Sequence, residues 1–234
     1  RKTLEDLLLQ PEIVLCQGQE YVDFIRSNWN VERSYYPNYI MDDFMKDNEL
    51  KRPHPLRLLY FGRVTKSKNI DIIITVLYLI RKRGIDAILD VIGGYDDEYK
   101  KYLDNIVSTK GIDKYVSFYG RKPFRFIAEK LRKSHYFVFP STEKQEGHSN
   151  SLTEAMGCGV VPIVSTVGFN CSICGCDELV VNEIDAEDFA NKIIRIENNN
   201  EWAKYSNLVY DRVKANFTQS IVSKKLIGHI DKLF

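Results

Sequence analysis

The sequence predicts an α/β fold: a doubly wound parallel sheet covered by helices, with further helices flanking it at the C-terminal end. Three observations carry that reading. From Leu56 onward, strand-like and helix-like segments alternate with no repeat or low-complexity stretch between them. The strand-like segments are continuous apolar runs rather than alternating ones, as strands buried on both faces must be. Finally, the stretch from Glu146 to Gly159 lies between apolar runs at 136–140 and 160–164, which makes it the loop and helix of a β-loop-α-β unit.

Composition sets the outer limits. The chain has 234 residues and is 44% hydrophobic, enough for one large core plus appendages. Its 33 basic and 32 acidic residues leave a net charge of +1, so no global field points to nucleic acid or to an anionic membrane. The longest apolar run, 70–80, contains Asp71 and is shorter than a bilayer span, and no signal-peptide pattern opens the chain, which reads as cytoplasmic. Five cysteines, with Cys171, Cys174 and Cys176 crowded together, do not form a secreted disulfide framework. A zinc reading of that cluster lacks a fourth ligand at finger spacing, so clustered free thiols are the simpler expectation. A start at Arg1 without Met suggests a piece of a longer protein.

Taken in order, 5–9 reads as helical, 13–16 as a short strand and 19–29 as a helix, a lone β-α fragment that cannot close a sheet of its own. Tyr35, Tyr36, Pro37 and Asn38 form a turn signature, and a polar stretch follows to Pro53 and Pro55, so a domain boundary is placed between about 36 and 55. The alternating region then runs strand 56–61, helix 69–82, strand 87–92, helix 97–109, strand 115–119, helix 124–132 and strand 136–139. Glycines 93 and 94 end the second of these strands and read as a turn. After 160–164, where Pro162 must sit at a strand start or bulge, come an apolar run at 179–181 and amphipathic helices at 186–196, 202–215 and 219–234.

Two loops carry chemistry. In the first, Glu146 precedes a helix that opens among the capping residues Ser149, Asn150 and Ser151, presents Leu152, Ala155 and Met156 on one face, carries Glu154 about one turn in, and stops at Gly157 and Gly159. The first-turn N–H groups suit an anion such as phosphate, and the two carboxylates can accept hydrogen bonds from sugar or ribose hydroxyls. Ser151-x-x-Glu154 also reads as a capping box and Glu146 as an ordinary loop acid, the commoner pattern for such residues. In the second loop, Gly62, Arg63, Lys66 and Lys68 precede the helix at 69, where cations oppose the helix dipole unless an anion sits between them and the amides. It reads equally as a solvated basic loop. Gly62 lacks the partner glycines of a dinucleotide fingerprint or a P-loop.

Glu146, seven residues, Glu154 and then Ala-Met-Gly-Cys-Gly before a Pro-containing strand resemble the donor-site motif of retaining glycosyltransferases of family 4, which have the GT-B fold. In that family the loop after an earlier strand reads Gly-Arg, a few residues, then Lys, matched here by Gly62, Arg63 and Lys68. The resemblance is good over 56–196 and looser on the flanks. It implies a Rossmann-like domain at 56–200 that is one half of a GT-B fold, a residual end of the N-terminal domain and linker at 1–55, and C-terminal helices at 201–234 that cross back to the other domain. By resemblance, Arg63 and Lys68 contact the donor diphosphate and stabilise the leaving group. Glu146 would hold the sugar, Glu154 the ribose, and the amides at Asn150, Ser151 and Leu152 the phosphates, with no metal or other cofactor. The implied partners are a nucleotide-sugar donor, a saccharide or lipid-linked acceptor, and the missing N-terminal acceptor domain, with peripheral membrane association through the full-length protein. The segment 116–121 resembles the one that lies against the nucleotide base. His148 falls at a variable position of the motif and reads as a solvent-facing loop residue, and Gly168-Phe169 stands where relatives often carry Gly-Gly. If the N-terminal domain is absent, Ile221, Leu226, Ile230 and Phe234 are expected to pack on the opening β-α fragment. A sugar-nucleotide isomerase of the same architecture and a non-catalytic binding or scaffold domain are the other classes. The first lacks its carboxylate and histidine set here, and the retained Arg63, Lys68, Glu146 and Glu154 count against the second.

Overall fold

In a computed structural model, which describes residues 3, 6, 11–45, 54–143 and 146–231, the alternating region folds as its pattern requires. Six strands, β3 (Leu56–Phe61), β4 (Ala87–Ile92), β5 (Val116–Phe118), β6 (Tyr136–Phe139), β7 (Val161–Ser165) and β8 (Val180–Val181), form one sheet in the order β5-β4-β3-β6-β7-β8. All five pairings are parallel. Nearly every residue of β3, β4, β6 and β7 is buried, so both faces of these strands are covered and no polar alternation survives.

The helices follow from the crossovers. Helices α2 (Ile70–Lys82) and α3 (Asp97–Thr109) link strands progressing toward β5, whereas α5 (Asn150–Gly157) and α6 (Asn170–Cys174) link strands progressing toward β8. Right-handed crossovers in opposite directions put the two sets on opposite faces. Helix α4 (Phe124–Leu131) carries the chain from β5 back across to β6. Helix α7 (Ala186–Asn198) packs against α2, and α8 (Trp202–Asn216) against α5. The chain reverses its winding between β3 and β6, so the loops leaving those two strands lie side by side at their carboxyl ends, at the switch point where open α/β sheets place a ligand crevice.

The opening fragment departs from expectation. It does close a sheet, because β2 (Arg33–Tyr35) pairs in parallel with β1 (Val14–Cys16) after helix α1 (Gln19–Asn28) crosses over. This small unit has its own core of Cys16, Val22, Ile25 and Val31. The strand was not legible because it is three half-buried residues long with no apolar run. Apart from Asp6, the expected helix at 5–9 lies outside the described residues, as does Phe234.

The last helix, α9 (Gln219–Ile230), touches the opening unit through polar side chains, and of the apolar positions expected to pack there Ile230 does not. The His229 ring pairs with the Ser34 hydroxyl at 2.6 Å and Lys225 lies over the Tyr35 ring, while Ile230 stays exposed. At the start of α9, Ile40 forms a parallel bridge to Thr218, which ties the segment linking β2 to β3 to the C-terminal helices. Pro162 is the second residue of β7. The Val161 N–H donates to His135 on the β6 side, so Pro162 turns toward β8, which pairs only from Val164 onward, and its missing N–H costs the ladder nothing. Among the described residues, no helix is long and apolar enough to cross a membrane.

Candidate functional site

Both loops singled out in the sequence leave the sheet at the crevice, one after β3 and one after β6. They are stitched together there. The Asn69 side-chain amide donates to the Pro140 carbonyl at 2.7 Å, the Ser67 hydroxyl donates to Glu143 at 3.0 Å, and the Thr142 N–H donates to the Ser67 carbonyl at 2.8 Å. At the centre, the Lys68 ammonium is ion-paired with the Glu146 carboxylate, and Ser141 bridges the two, accepting from Lys68 at 3.3 Å and donating to Glu146 at 2.8 Å. The Lys68 and Glu146 side chains are only 5% and 13% exposed. Two residues expected to take different parts of one ligand therefore hold each other. Ser141 was not anticipated; its only sequence signal is its place just past the end of an apolar strand.

Glycines make this convergence sterically feasible. Gly93 has φ +155°, and a Cβ there would lie 1.7 Å from the Gly62 carbonyl oxygen, so the turn after β4 is a close backbone contact with the loop after β3. Gly168 has φ +61°, and its Cβ would meet the Glu146 carbonyl at 2.2 Å. That contact requires the first glycine of the expected Gly-Gly pair, while Phe169, in the second place, packs its ring edge-on against Tyr21 and over Gly18. Beyond Gly62, Arg63 is exposed in the loop after β3, and its carbonyl accepts from the Tyr60 hydroxyl at 2.7 Å.

The start of α5 overturns the capping-box reading. Ser149 is the N-cap, its hydroxyl accepting from the Leu152 N–H at 3.4 Å. Glu154 then falls past the first turn, beyond the position from which a box glutamate reaches back. The amides of Asn150 and Ser151 have no intrahelical partner by helix geometry, whereas that of Leu152 is engaged by the cap. Asn38 reaches this helix end from the segment linking β2 to β3, donating to the Asn150 side chain at 2.9 Å and to the His148 carbonyl at 3.3 Å. Sequence reasoning marked Asn38 as part of a turn that resembles the family's Pro-Asn-Gly element, with Tyr39 in place of the glycine, and gave it no site role. His148 is not solvent-facing. It is 6% exposed, pairs with the Thr153 hydroxyl at 2.9 Å and packs edge-on against Phe217, and burial pulls its imidazole down to about 4, so it is neutral at physiological pH.

Glu154 is not among the residues touching Lys68 and Glu146. It faces a cavity of about 770 Å3 between α4 and the segment linking β2 to β3, where Ile40, Phe44, Phe124 and Arg132 also line the wall. Burial pushes its carboxyl up to about 7 from an ordinary 4.5. A group whose folded pKa is raised stabilises the fold fully below its unfolded pKa and loses that contribution as pH rises through the folded value. Glu154→Gln removes the ionisation and should stabilise the chain at pH 8 by about 2 kcal/mol, or about 4–8 °C in melting temperature, with no gain at pH 4. Equal melting temperatures at pH 8 would show that the carboxyl is better solvated than its position implies.

The cysteine cluster spans the short helix α6 and the turn after it. Cys171, Cys174 and Cys176 form no disulfide, and burial pushes the Cys174 thiol up to about 12. Among the described residues, no group of three or more His, Cys, Asp or Glu side chains is placed to hold a metal ion.

Residues 41–211 match the family described as glycosyl transferases, group 1. The chain belongs to this family. Two uncharacterized glycosyltransferases of Methanocaldococcus jannaschii are among the relatives of this group 1 glycosyl transferase. One is 28% identical over 148 residues, covering 62% of this chain and 39% of its own. The other is 23% identical over 232 residues, covering 84% and 55%. The chain thus spans about half the length of the curated relatives it matches. Solved structures share the fold. HepE of Anabaena, solved in complex with UDP, superposes with a TM-score of 0.83 at 14% identity, covering 98% of this chain and 66% of that one. A sucrose-phosphate synthase of Thermosynechococcus elongatus gives 0.74 at 21% identity, covering 97% and 60%. The α/β reading and its Rossmann-like sheet therefore hold for this group 1 glycosyl transferase.

Proposed function

We propose that this chain is the donor-binding part of a nucleotide-sugar-dependent, retaining glycosyltransferase that transfers a hexosyl-type group to a saccharide or lipid-linked acceptor. The observation that carries the reading is the meeting of Lys68, Glu146 and the α5 N-terminus at the one point where the sheet reverses its winding, in a chain of this family.

The residues have separable tasks. Arg63 in the loop after β3, Lys68 and the amides of Asn150 and Ser151 supply positive potential for a diphosphate and take up the charge that develops on it as the glycosidic bond breaks. Gly62 lets the loop turn close to that phosphate. Glu146, freed from Lys68, accepts from the sugar hydroxyls and orients the anomeric carbon. Glu154 accepts from ribose hydroxyls, which favours its ionised form, so donor binding should tighten as pH rises through about 7 and release a proton. In this scheme the charge on the leaving group is met by side chains and amides, and no metal takes part. The acceptor is bound with the help of a separate N-terminal domain, and the whole protein works on the cytoplasmic side, held peripherally at a membrane when the acceptor is lipid-linked.

Calorimetric titration with UDP, GDP and ADP in metal-free buffer tests the assignment. One diphosphate should bind the chain, and Arg63→Ala should weaken it by about 1.5–3 kcal/mol, the worth of a charge-assisted hydrogen bond. Binding that Arg63→Ala leaves unchanged would remove the loop after β3 from the site. No binding of any diphosphate at millimolar concentration would demote the donor reading itself.

A further inference from the structure

A second concave surface begins on the same 3-10 turn that carries Lys68 and leads away from the crevice along α2 and α3. Its upper part is a cavity of about 680 Å3 whose wall includes Lys66, Asn69, Asp71, Asp96, Tyr99 and Tyr102. Its lower part, about 320 Å3, shares Asp71 and Tyr102 with the first and continues past Thr75, Asn105 and Thr109. Asp71 and Tyr102 stand in the walls of both, so the two cavities follow each other as a groove lined on both sides of Tyr102, beside a helix of 13 residues, about 20 Å long.

The lining has a definite chemistry. Tyr102 stacks on Tyr99 at 5.9 Å between ring centroids and 19° between planes, yet remains 51% exposed, so one ring face is held by protein while the rest is offered to the groove. Tyr99 is buried and fixed from below. Its hydroxyl donates to Asp71 at 3.2 Å and its N–H donates to Asp96 at 2.7 Å. These carboxylates have protein partners and keep further lone pairs. Asn105 and the hydroxyl-bearing Thr75 and Thr109 add uncharged donors and acceptors along the lower part. A fixed aromatic platform amid carboxylate, amide and hydroxyl groups matches a ligand with apolar C–H faces and many hydroxyls. With Asp71, Asp96 and Glu98 against Lys66 and Lys110, the lining carries an excess of negative charge that disfavours an anion, and no set of three metal ligands is assembled among the described residues.

We propose that this groove binds a linear glycan, the non-reacting part of the acceptor chain, with one sugar ring stacked on Tyr102. The identity of the occupant rests on the transferase reading; the groove and its chemistry do not. A sugar chain held here would leave its end at Lys66, on the turn that also presents Lys68 to the crevice. Part of the acceptor specificity would then belong to this chain and not to a separate domain alone.

Saturation-transfer NMR and calorimetry of the 234-residue chain with short linear oligosaccharides of the glucan, galactan, mannan and chitin types test the proposal. At least one type should bind, Tyr102→Ala should weaken it about tenfold, and Tyr102→Phe should retain most of the affinity because the ring is kept. Arg63→Ala should leave sugar binding intact. Tyr102 is exposed, so a correctly folded variant is expected, and its melting temperature verifies this. Absence of binding to every oligosaccharide, binding unaffected by Tyr102→Ala, or binding lost in Arg63→Ala would each overturn the proposal. Failure here with intact diphosphate binding leaves the donor reading standing, while sugar binding without any diphosphate binding refutes the donor reading and keeps the groove.

Discussion

Lys68→Ala should lower the stability of the unliganded chain by about 3–5 kcal/mol, because it strands the Glu146 carboxylate in a buried site with Ser141 as its remaining partner. For a domain of this size that corresponds to a fall of about 6–20 °C in melting temperature. The loss has a specific signature. Lys68→Ala combined with Glu146→Gln should recover much of it, since a neutral amide can still accept from Ser141 without an uncompensated charge. Denaturant unfolding of wild type, both single variants and the double variant completes the cycle. A single Lys68→Ala that costs less than about 1 kcal/mol, or a double variant no better than the single, would show that the pair is solvated and that its burial plays no energetic part. A deficit that persists in the double variant only when ligand is present would instead report the role of Lys68 in binding.

Gly93→Ala should be at least as damaging. Its Cβ would be placed 1.7 Å from the Gly62 carbonyl oxygen, a backbone atom that cannot rotate away, at a φ of +155° that L side chains rarely adopt. We expect a loss of about 4 kcal/mol or more, or no soluble protein. Gly84→Ala is the natural comparison, since Gly84 also has positive φ, +85°, but a Cβ added there would have nothing within 4 Å. It should cost about 1–2 kcal/mol. Thermal melts that rank the two variants equally would contradict the close approach of the β3 and β4 loops, and with it the means by which the loop holding Arg63 is positioned.

How far the sequence could be read depended on whether a feature was local. The strands at 56–61, 87–92 and 136–139 and the helices at 97–109 and 186 onward were legible because burial on both faces, or on one stripe, leaves its mark within a dozen residues. β2 was not, since three residues paired only to β1 give no periodicity. The N-cap could be narrowed only to Ser149, Asn150 and Ser151, all capping types, and the capping-box alternative at Ser151 fails because the helix is capped by Ser149. His148 was read as solvent-facing from its variable place in the motif, yet Thr153 and Phe217, the latter from the far end of the chain, supply it with a buried niche. Lys68 and Glu146 could each be nominated from their own loops. Their union could not, because 78 residues separate them and only the reversal of winding brings them together.

That union also bears on inhibitor chemistry. In the unliganded state the two charges cancel locally, so a compound entering the crevice meets a closed pair and must replace each charge's partner at once. An anionic fragment that captures Lys68 but offers Glu146 no hydrogen-bond donors leaves a carboxylate desolvated and alone, and a neutral polyol that engages Glu146 leaves the ammonium in the same state. Compounds that join an anion to a donor-rich ring at the spacing of the separated pair escape both penalties. Fragment screens run on the two halves separately should therefore undervalue each of them.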